Sequence, residues 1–600
     1  MARSGPKKPV AAKPPLGGEA IPPPGRNPAL RRGCNMAAAV IAVVMFIVVC
    51  SLSGNDVTWP MDHFSDMHVL MSGENFAKHG FFRLRFLPVL YVGGIGEQPD
   101  YYTHYPPLPN LVNGLMQSVG IGIENLTVMR IFCGSLFIAG LVFMYLGFAS
   151  VIGPLAAVVG LGFAGTTGYF FSYSICLHQH CYNVLFMGLF FYLFLRAVHS
   201  DSAPRWVWAT CWVALMLESL ASFDFILYPQ VFAWLYVLAT GRIRRYWRAL
   251  LFLAAAPLAG QALHMLQNIW AVGWDQTMKD SMGYGLYTQK SRWETWGDAW
   301  NAGIGHSQAL YYWPWPLVLV MGVVWLGLDG RREEEVPAPS RWKGALLLGV
   351  GVAGVGWSVA MPAHTGSHPH TASQFFPLVF LVMGGVGAML IQWLRQRETG
   401  ASMRVLAVAA GLVLIVAQVQ NINRVTEQRG TLPSVMLAEA IGKDAVEPNV
   451  GVLSNIDGEA QFAFFIRRPA WRCPNWLRNP FPQAIPTLQA HLPAKWELKY
   501  YVFIGRGNRQ PFETLARNCQ GRMAIPLAPD AKPELLQAYV QQGYYAILFD
   551  ISPLHPGYNG PPLDPAVQEK QLRGEFARWD LPGFLDRWHK VLDRQPKPKE

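Results

Sequence analysis

Between Trp59 and Phe82 the chain reads WPMDHFSDMHVLMSGENFAKHGFF, which gathers Asp62, Asp66 and Glu74 with His63, His68 and His79 just after an apolar run. A carboxylate held at the start of a helix can take a proton from a hydroxyl or amine as a general base. The other use of such residues is capping, and Asp62 or Ser65 could serve there. A second acid, Asp224, interrupts the apolar stretch SLASFDFILYP. An acid inside a membrane-length stretch is costly and tends to be functional, so Asp224 could pair with His178 or position a substrate, the alternative being a hydrogen bond to a neighbouring helix. Glu218 carries the same cost with no clear role. CLHQHC holds His178 and His180, and HTGSHPH holds His364, His368 and His370. Histidines at such spacing can bind zinc, but neither group comes with an assigned third ligand. They read as a polar rim around a site mouth. No metal ligand is assigned, and a divalent cation stays open as a cofactor.

Composition identifies the elements that must position these groups. Hydrophobic residues make up 52% of the 600 and charged residues only 14%, against roughly 25% charged in soluble domains. That shortfall implies a polytopic membrane protein. The net charge of +11 comes largely from the N-terminal tail and short loops, so it reports topology rather than a nucleic-acid partner. Eight cysteines are scattered. Cys34, Cys50, Cys133 and Cys211 lie in or beside apolar runs, whereas Cys176 with Cys181, or Cys473 with Cys519, could form a disulfide in an oxidising compartment.

Residues 1–35, rich in Pro, Gly and basic residues, are expected to be a disordered tail. Residues 36–52 read as an uncleaved first span, followed by runs near 128–149, 153–173, 182–198, 206–222, 225–240, 247–270, 309–329, 344–362, 373–394 and 403–420. That is about eleven spans. Placing the tail inside puts LRAVHSDSAPRW, TGRIRRYWR, DGRREEEVPAPSRWKG and WLRQRETGASMR inside too, so every second loop is basic. The opposite loops carry the His, Asp, Trp and Tyr. Within the first outer loop, 53–127, apolar spacing predicts amphipathic, interfacial helices from Asp66 to His79 and over 106–122. Residues 421–600 have no membrane-length run, and strand-like NVGVLSNI, KYYVFIGR and YYAILFDI alternate with helical PELLQAYVQQG, which predicts a small C-terminal α/β domain. The fold class is therefore mainly α: a transmembrane domain over 36–420 with its N-terminus inside, and an extracytoplasmic domain over 421–600.

Three motifs carry a family resemblance. SDMHVLMSGENFAKHG (65–80), HYPPLPNLVNGL (104–115) and VMRIF (128–132), behind a first span, resemble the C-type polytopic glycosyltransferases of the protein O-mannosyltransferase and aminoarabinose transferase type, the family 39-like enzymes. The likeness covers the first 200 residues or so, and the later spans match only in architecture. One departure is that the family often has Asp-Glu where this chain has Ser65-Asp66.

The resemblance implies transfer of a sugar from a polyprenyl phosphate to an acceptor on the outer face, with inversion by direct displacement. It gives Asp66 the base role by motif position, with Asp62 next. It also places Tyr102, His104 and Tyr105, before PPL, near the donor phosphate. Arg130, at the outer mouth of a span, is a second phosphate candidate or an interfacial anchor. The loop 271–308, with Lys279, Lys290 and Arg292 among Trp and Tyr, suits a cover over a phosphate and a sugar. The expected partners are the lipid-linked donor, the membrane and an acceptor protein, lipid or glycan. The expected location is a bacterial inner membrane, with the site and C-terminal domain facing the periplasm or exterior. The rival readings are a transporter or flippase for lipid-linked saccharides, and a polymerase or ligase that consumes lipid-linked oligosaccharide.

Overall fold

The structure is a computed structural model that describes residues 28–55, 57, 62–92, 95–200, 202–286, 292–329, 340–395, 400–427, 447–455, 459–472, 481–504, 509–526, 545–573 and 575–576. The expected disorder over 1–35 needs correction at its end, because the first helix, α1 (Pro28–Ser53), already includes 28–35. Proline suits a first turn, and the apolar run behind it carries the helix on. Residues 1–27 lie outside the described residues.

The helices that follow are α2 (His63–His79), α3 (Leu108–Ser118), α4 (Leu126–Ile152), α5 (Pro154–Ala164), α6 (Gly168–Tyr173), α7 (Gln179–His199), α8 (Arg205–Ala221) and α9 (Leu227–Ala239). After them come α10 (Ile243–Val272), α11 (Trp274–Leu286), α12 (Arg292–Tyr311), α13 (Trp315–Asp329), α14 (Ser340–Ala360), α15 (Pro362–Ser367), α16 (Phe376–Arg395) and α17 (Ala401–Glu427). Among the described residues seven helices are long and apolar enough to cross a membrane, or eight if α12 and α13, bent by 73°, form one broken span. The chain is thus an integral, multi-pass membrane protein. Three of the expected runs give shorter helices: α5 has 11 residues, α8 has 17 and α9 has 13. The run 153–173 is divided because Thr167 caps α6, its hydroxyl accepting from the Phe170 backbone N–H at 3.2 Å.

Backbones in the bundle touch where side chains vanish. A Cβ on Gly188 of α7 would sit 2.0 Å from the Gly140 carbonyl oxygen of α4, and one on Gly140 would sit 2.3 Å from that of Val184. Small residues at helix crossings permit such approach in membranes.

The helix α2, expected to lie along the membrane, is packed into the protein on one face. Met67, Val69, Leu70 and Met71 are fully buried, in the same core as Phe462, Ala463 and Phe464 of the helix Glu459–Ile466. The N-terminal two turns of α2 are therefore covered by protein, while Ala77 and Lys78 at its end are exposed. Glu74, still partly exposed, meets Arg467 at 2.5 Å.

Five strands follow: β1 (Val450–Ser454), β2 (Ala470–Arg472), β3 (Glu497–Ile504), β4 (Gln520–Pro526) and β5 (Tyr545–Asp550). They form one sheet in the order β2-β1-β3-β5-β4, with β1 parallel to β2 and β3, and β5 antiparallel to β3 and β4. The three expected strand segments fall on β1, β3 and β5. The PELLQAYVQQG helix, Cys473 and hence its pairing with Cys519 fall outside the described residues. Cys176 and Cys181 are free thiols, so that expected bridge is not formed. Leu84, Val89 and Tyr91 of the first loop join Leu453, Tyr501, Ile547 and Phe549 in a second core, which binds the sheet to the loop that carries the acids.

Candidate functional site

The acids stand at the head of α2. Asp62 occupies the cap position, yet its side chain makes no cap hydrogen bond. Instead Oδ1 accepts from Ser65 Oγ at 2.7 Å, and Oδ2 lies 3.1 Å from Nε2 of His180. Burial alone would raise the Asp62 carboxyl, but the hydrogen bond to His180 and the charges of His180, His178 and His370 outweigh it and hold it well below the usual range. Asp66, one turn on, accepts from the Leu177 backbone N–H at 2.7 Å through Oδ1. Burial pushes its carboxyl up to about 7, against the pull of the Arg130 guanidinium. The side chain of Asp62 is 17% exposed, whereas Asp66 is 0% exposed. Of the two, only Asp62 is open to a molecule arriving from outside the protein.

The segment that meets these acids is the short link between α6 and α7. His178 stands at the cap position just before α7, and Gln179, His180 and Cys181 form the helix's first turn. Burial lowers the His178 imidazole to about 4. His180 turns to Asp62, and Gln179 Nε2 donates to Asp224 Oδ2 at 2.9 Å. One helical turn therefore touches both acidic centres.

Asp224, in the loop between α8 and α9, is fully surrounded. Its partners are not His178, as expected, but His364 of α15 and His370 of the turn Pro369–Phe375. His364 Nε2 lies 3.0 Å from Oδ1, and His370 Nε2 lies 3.4 Å from Oδ2. These three residues offer ligand atoms that all lie within 4.8 Å of one another and could hold a metal ion. The rings of His370 and His180 are 5.6 Å apart, so the Asp224 cluster adjoins the Asp62 pair.

The segment before PPL forms the facing wall. Tyr105 stacks on Phe223 at 4.4 Å, and its hydroxyl is 3.3 Å from His364 Nε2. His104 lies beside Tyr105 and Tyr102, and burial lowers its imidazole to about 4. Tyr102 in turn meets His68, whose imidazole burial lowers to about 3. Thr103 Oγ1 donates to Asp280 Oδ2 of α11 at 2.7 Å, which ties the 271–308 region to this wall. Lys279 stands exposed next to Asp280. Arg292 begins α12, and its side chain and all of Lys290 fall outside the described residues. Arg130 is fully buried in α4, with Nη1 donating to the Asn55 carbonyl at 2.5 Å and its charge felt by Asp66. The structure thus brings together Asp62, Asp66, His178, Tyr105 and Asp224, and adds His180, Gln179, His364 and His370. The His-x-His and His-x5-His spacings flagged the histidines, but nothing in the sequence named their carboxylate partners.

No family model matches this chain, and no curated protein does. Solved structures are similar to it. One is ArnT from Cupriavidus metallidurans bound to undecaprenyl phosphate, at 14% identity and a TM-score of 0.47, covering 88% of this chain and 99% of that one. Another is the archaeal oligosaccharyltransferase AglB from Archaeoglobus fulgidus, in complex with an inhibitory peptide and a dolichol-phosphate. It has 10% identity and a TM-score of 0.49, covering 78% of this chain and 69% of that one.

Proposed function

We propose that this protein transfers a glycosyl group from a polyprenyl-phosphate sugar to an acceptor at the outer face of a bacterial inner membrane. The observation that carries the reading is the pair of acids at the head of α2, fixed by α7 and open to water only at Asp62. The sequence resemblance of the same segment supports it. So does the convergence of groups from several loops that the positive-inside pattern places outside. The sheet over β1–β5, packed on the first loop, would stand on that same side.

In this reaction Asp62, kept ionised by the histidines around it, takes the proton of the acceptor hydroxyl or amine late in the step, once attack of its oxygen or nitrogen on the anomeric carbon has made that proton acidic. The bond from that carbon to the phosphate oxygen breaks, and the polyprenyl phosphate leaves with the electron pair. Attack opposite the leaving group inverts the anomeric centre. Asp66 acts as a positioning residue, holding the backbone of Leu177 and with it the α7 turn that orients Asp62. Tyr102, His104, Tyr105 and Lys279 line the side on which the phosphate would lie.

The test is transfer from radiolabelled polyprenyl-phosphate sugars into acceptor membranes containing wild type, Asp62→Asn or Asp66→Asn. Asp62→Asn should lose about 10²–10⁴-fold in rate, and Asp66→Asn should lose less. If Asp62→Asn keeps its rate while Asp66→Asn loses it, the base is Asp66. If neither variant slows transfer, the glycosyl-transfer reading falls.

A further inference from the structure

We propose that Asp224, His364 and His370 bind one divalent transition-metal ion of the zinc class. A carboxylate with two imidazoles is a donor set that suits such an ion, with a fourth position left for water or a phosphate oxygen. The spacing fits. Metal–ligand bonds of ~2.0–2.2 Å in a tetrahedral site place neighbouring ligand atoms roughly 3.3–3.5 Å apart. Here His364 Nε2 lies 3.0 Å from Asp224 Oδ1 and His370 Nε2 lies 3.4 Å from Oδ2, and the one ligand atom that each residue offers lies within 4.8 Å of the other two.

The same atoms are poorly used as a hydrogen-bonded ion pair. Asp224 Oδ1 and His370 Nε2 are buried and make no hydrogen bond of acceptable geometry, although nitrogens and oxygens lie at hydrogen-bonding distance. Buried polar atoms left in this way are costly unless something binds them. A cation at their centre satisfies both at once.

The surroundings of the carboxylate support it as a ligand, while the Tyr105 hydroxyl, 3.3 Å from His364 Nε2, would give that nitrogen up to the ion. Gln179 Nε2 donates to Asp224 Oδ2 at 2.9 Å, and Gln374 Nε2 donates to the Asp224 backbone carbonyl at 2.8 Å. Such outer contacts fix the orientation of a metal-ligating carboxylate. Exposure falls from 15% for the His370 side chain to 3% for His364 and 1% for Asp224, so an ion would enter from the His370 side. That side also faces His180, and through it Asp62.

The test uses full-length protein purified with a tag that contains no histidine, stripped with chelator and then loaded with Zn²⁺ or Co²⁺ alone. Wild type should hold about one Zn²⁺ per chain by elemental analysis, and its Co²⁺ form should show the visible absorption of a low-coordinate nitrogen-oxygen site. Asp224→Asn and His370→Ala should lose at least ten-fold in affinity, and His491→Ala, in the C-terminal region, should not. His370→Cys should regain the ion and add thiolate-to-cobalt charge transfer, a signal that a merely structural role for His370 would not give. Zn²⁺ retained equally by wild type and all variants would overturn the proposal, as would a wild type that stays colourless with Co²⁺. If the variants do not fold, the wild-type cobalt spectrum decides alone. No donor or acceptor is needed, so a loaded protein without transferase activity would sink the function proposed above and leave this site standing.

Discussion

Replacing Asp66 by Asn should make the protein more stable, by an amount set by pH. Burial raises the folded-state carboxyl to about 7, while in the unfolded chain it titrates near ~3.9. Between those values the unfolded state has released its proton and the folded state has not. The unfolded state thus binds fewer protons, and stability falls as pH rises. At ~1.4 kcal/mol per pKa unit, the loss accumulates to about 4 kcal/mol and levels off above pH 7. Asparagine mimics the protonated acid, keeps an oxygen for the Leu177 N–H, and does not ionise in either state. The stability gap between Asp66→Asn and wild type should therefore open from about pH 4, widen by ~1.4 kcal/mol per unit, and flatten near pH 7. Thermal unfolding in detergent, followed by tryptophan fluorescence across pH 4 to 8, measures it. With an unfolding entropy of ~2.1 cal/mol/K per residue the full gap is worth about 3 °C, and more where membrane helices survive unfolding. Groups that do not interact with Asp66 cancel in the difference, and its neighbour Asp62, held well below the usual range, stays ionised throughout and adds no titration of its own. Parallel curves for the two, with no gap growing between pH 4 and 7, would refute the assignment of a buried, near-neutral acid at this position.

Two further outcomes are expected. Gly188→Ala puts a methyl group 2.0 Å from a backbone oxygen and should destabilise by about 1–3 kcal/mol or more. Gly162→Ala, whose Cβ would meet only Ile41 Cδ1 at 3.6 Å, should leave the melting temperature unchanged, and equal melting of the two variants would contradict the close crossing. His104, lowered to about 4, is neutral at working pH and can contribute only a neutral N–H, so His104→Gln should retain transfer within about ten-fold, the upper end of a charge-free hydrogen bond's worth, while His104→Ala loses more. Equal losses in an initial-rate assay would refute that role.

How much of this could be read from the residues depends on the range of the interaction. The apolar runs that became α1, α4, α7, α10, α14, α16 and α17 were legible because twenty consecutive apolar residues are a one-dimensional signal. The division of 153–173 into α5 and α6 turned on one threonine capping a turn inside GTTG, which hydropathy averages away. The burial of α2 depended on residues around Phe462 nearly four hundred positions later, and its own spacing looked like that of a surface helix. At the site, Asp62, Asp66 and Asp224 announced themselves as acids in apolar company. Their partners did not, since Asp62 meets His180 across 118 residues and Asp224 meets histidines beyond α14. The two histidine groups looked like a rim because their carboxylates come from other loops.

The contact between Gly140 and Gly188 also decides where the site can move. α4 carries Arg130 beneath Asp66, and α7 carries Gln179 and His180, so the charges around both acids ride on two backbones pressed into one stiff strut. Asp224, His364 and His370 hang instead from short connections between α8 and α9 and after α14. Gln179 Nε2, 2.9 Å from Asp224 Oδ2, is the link by which that strut reaches the histidine side.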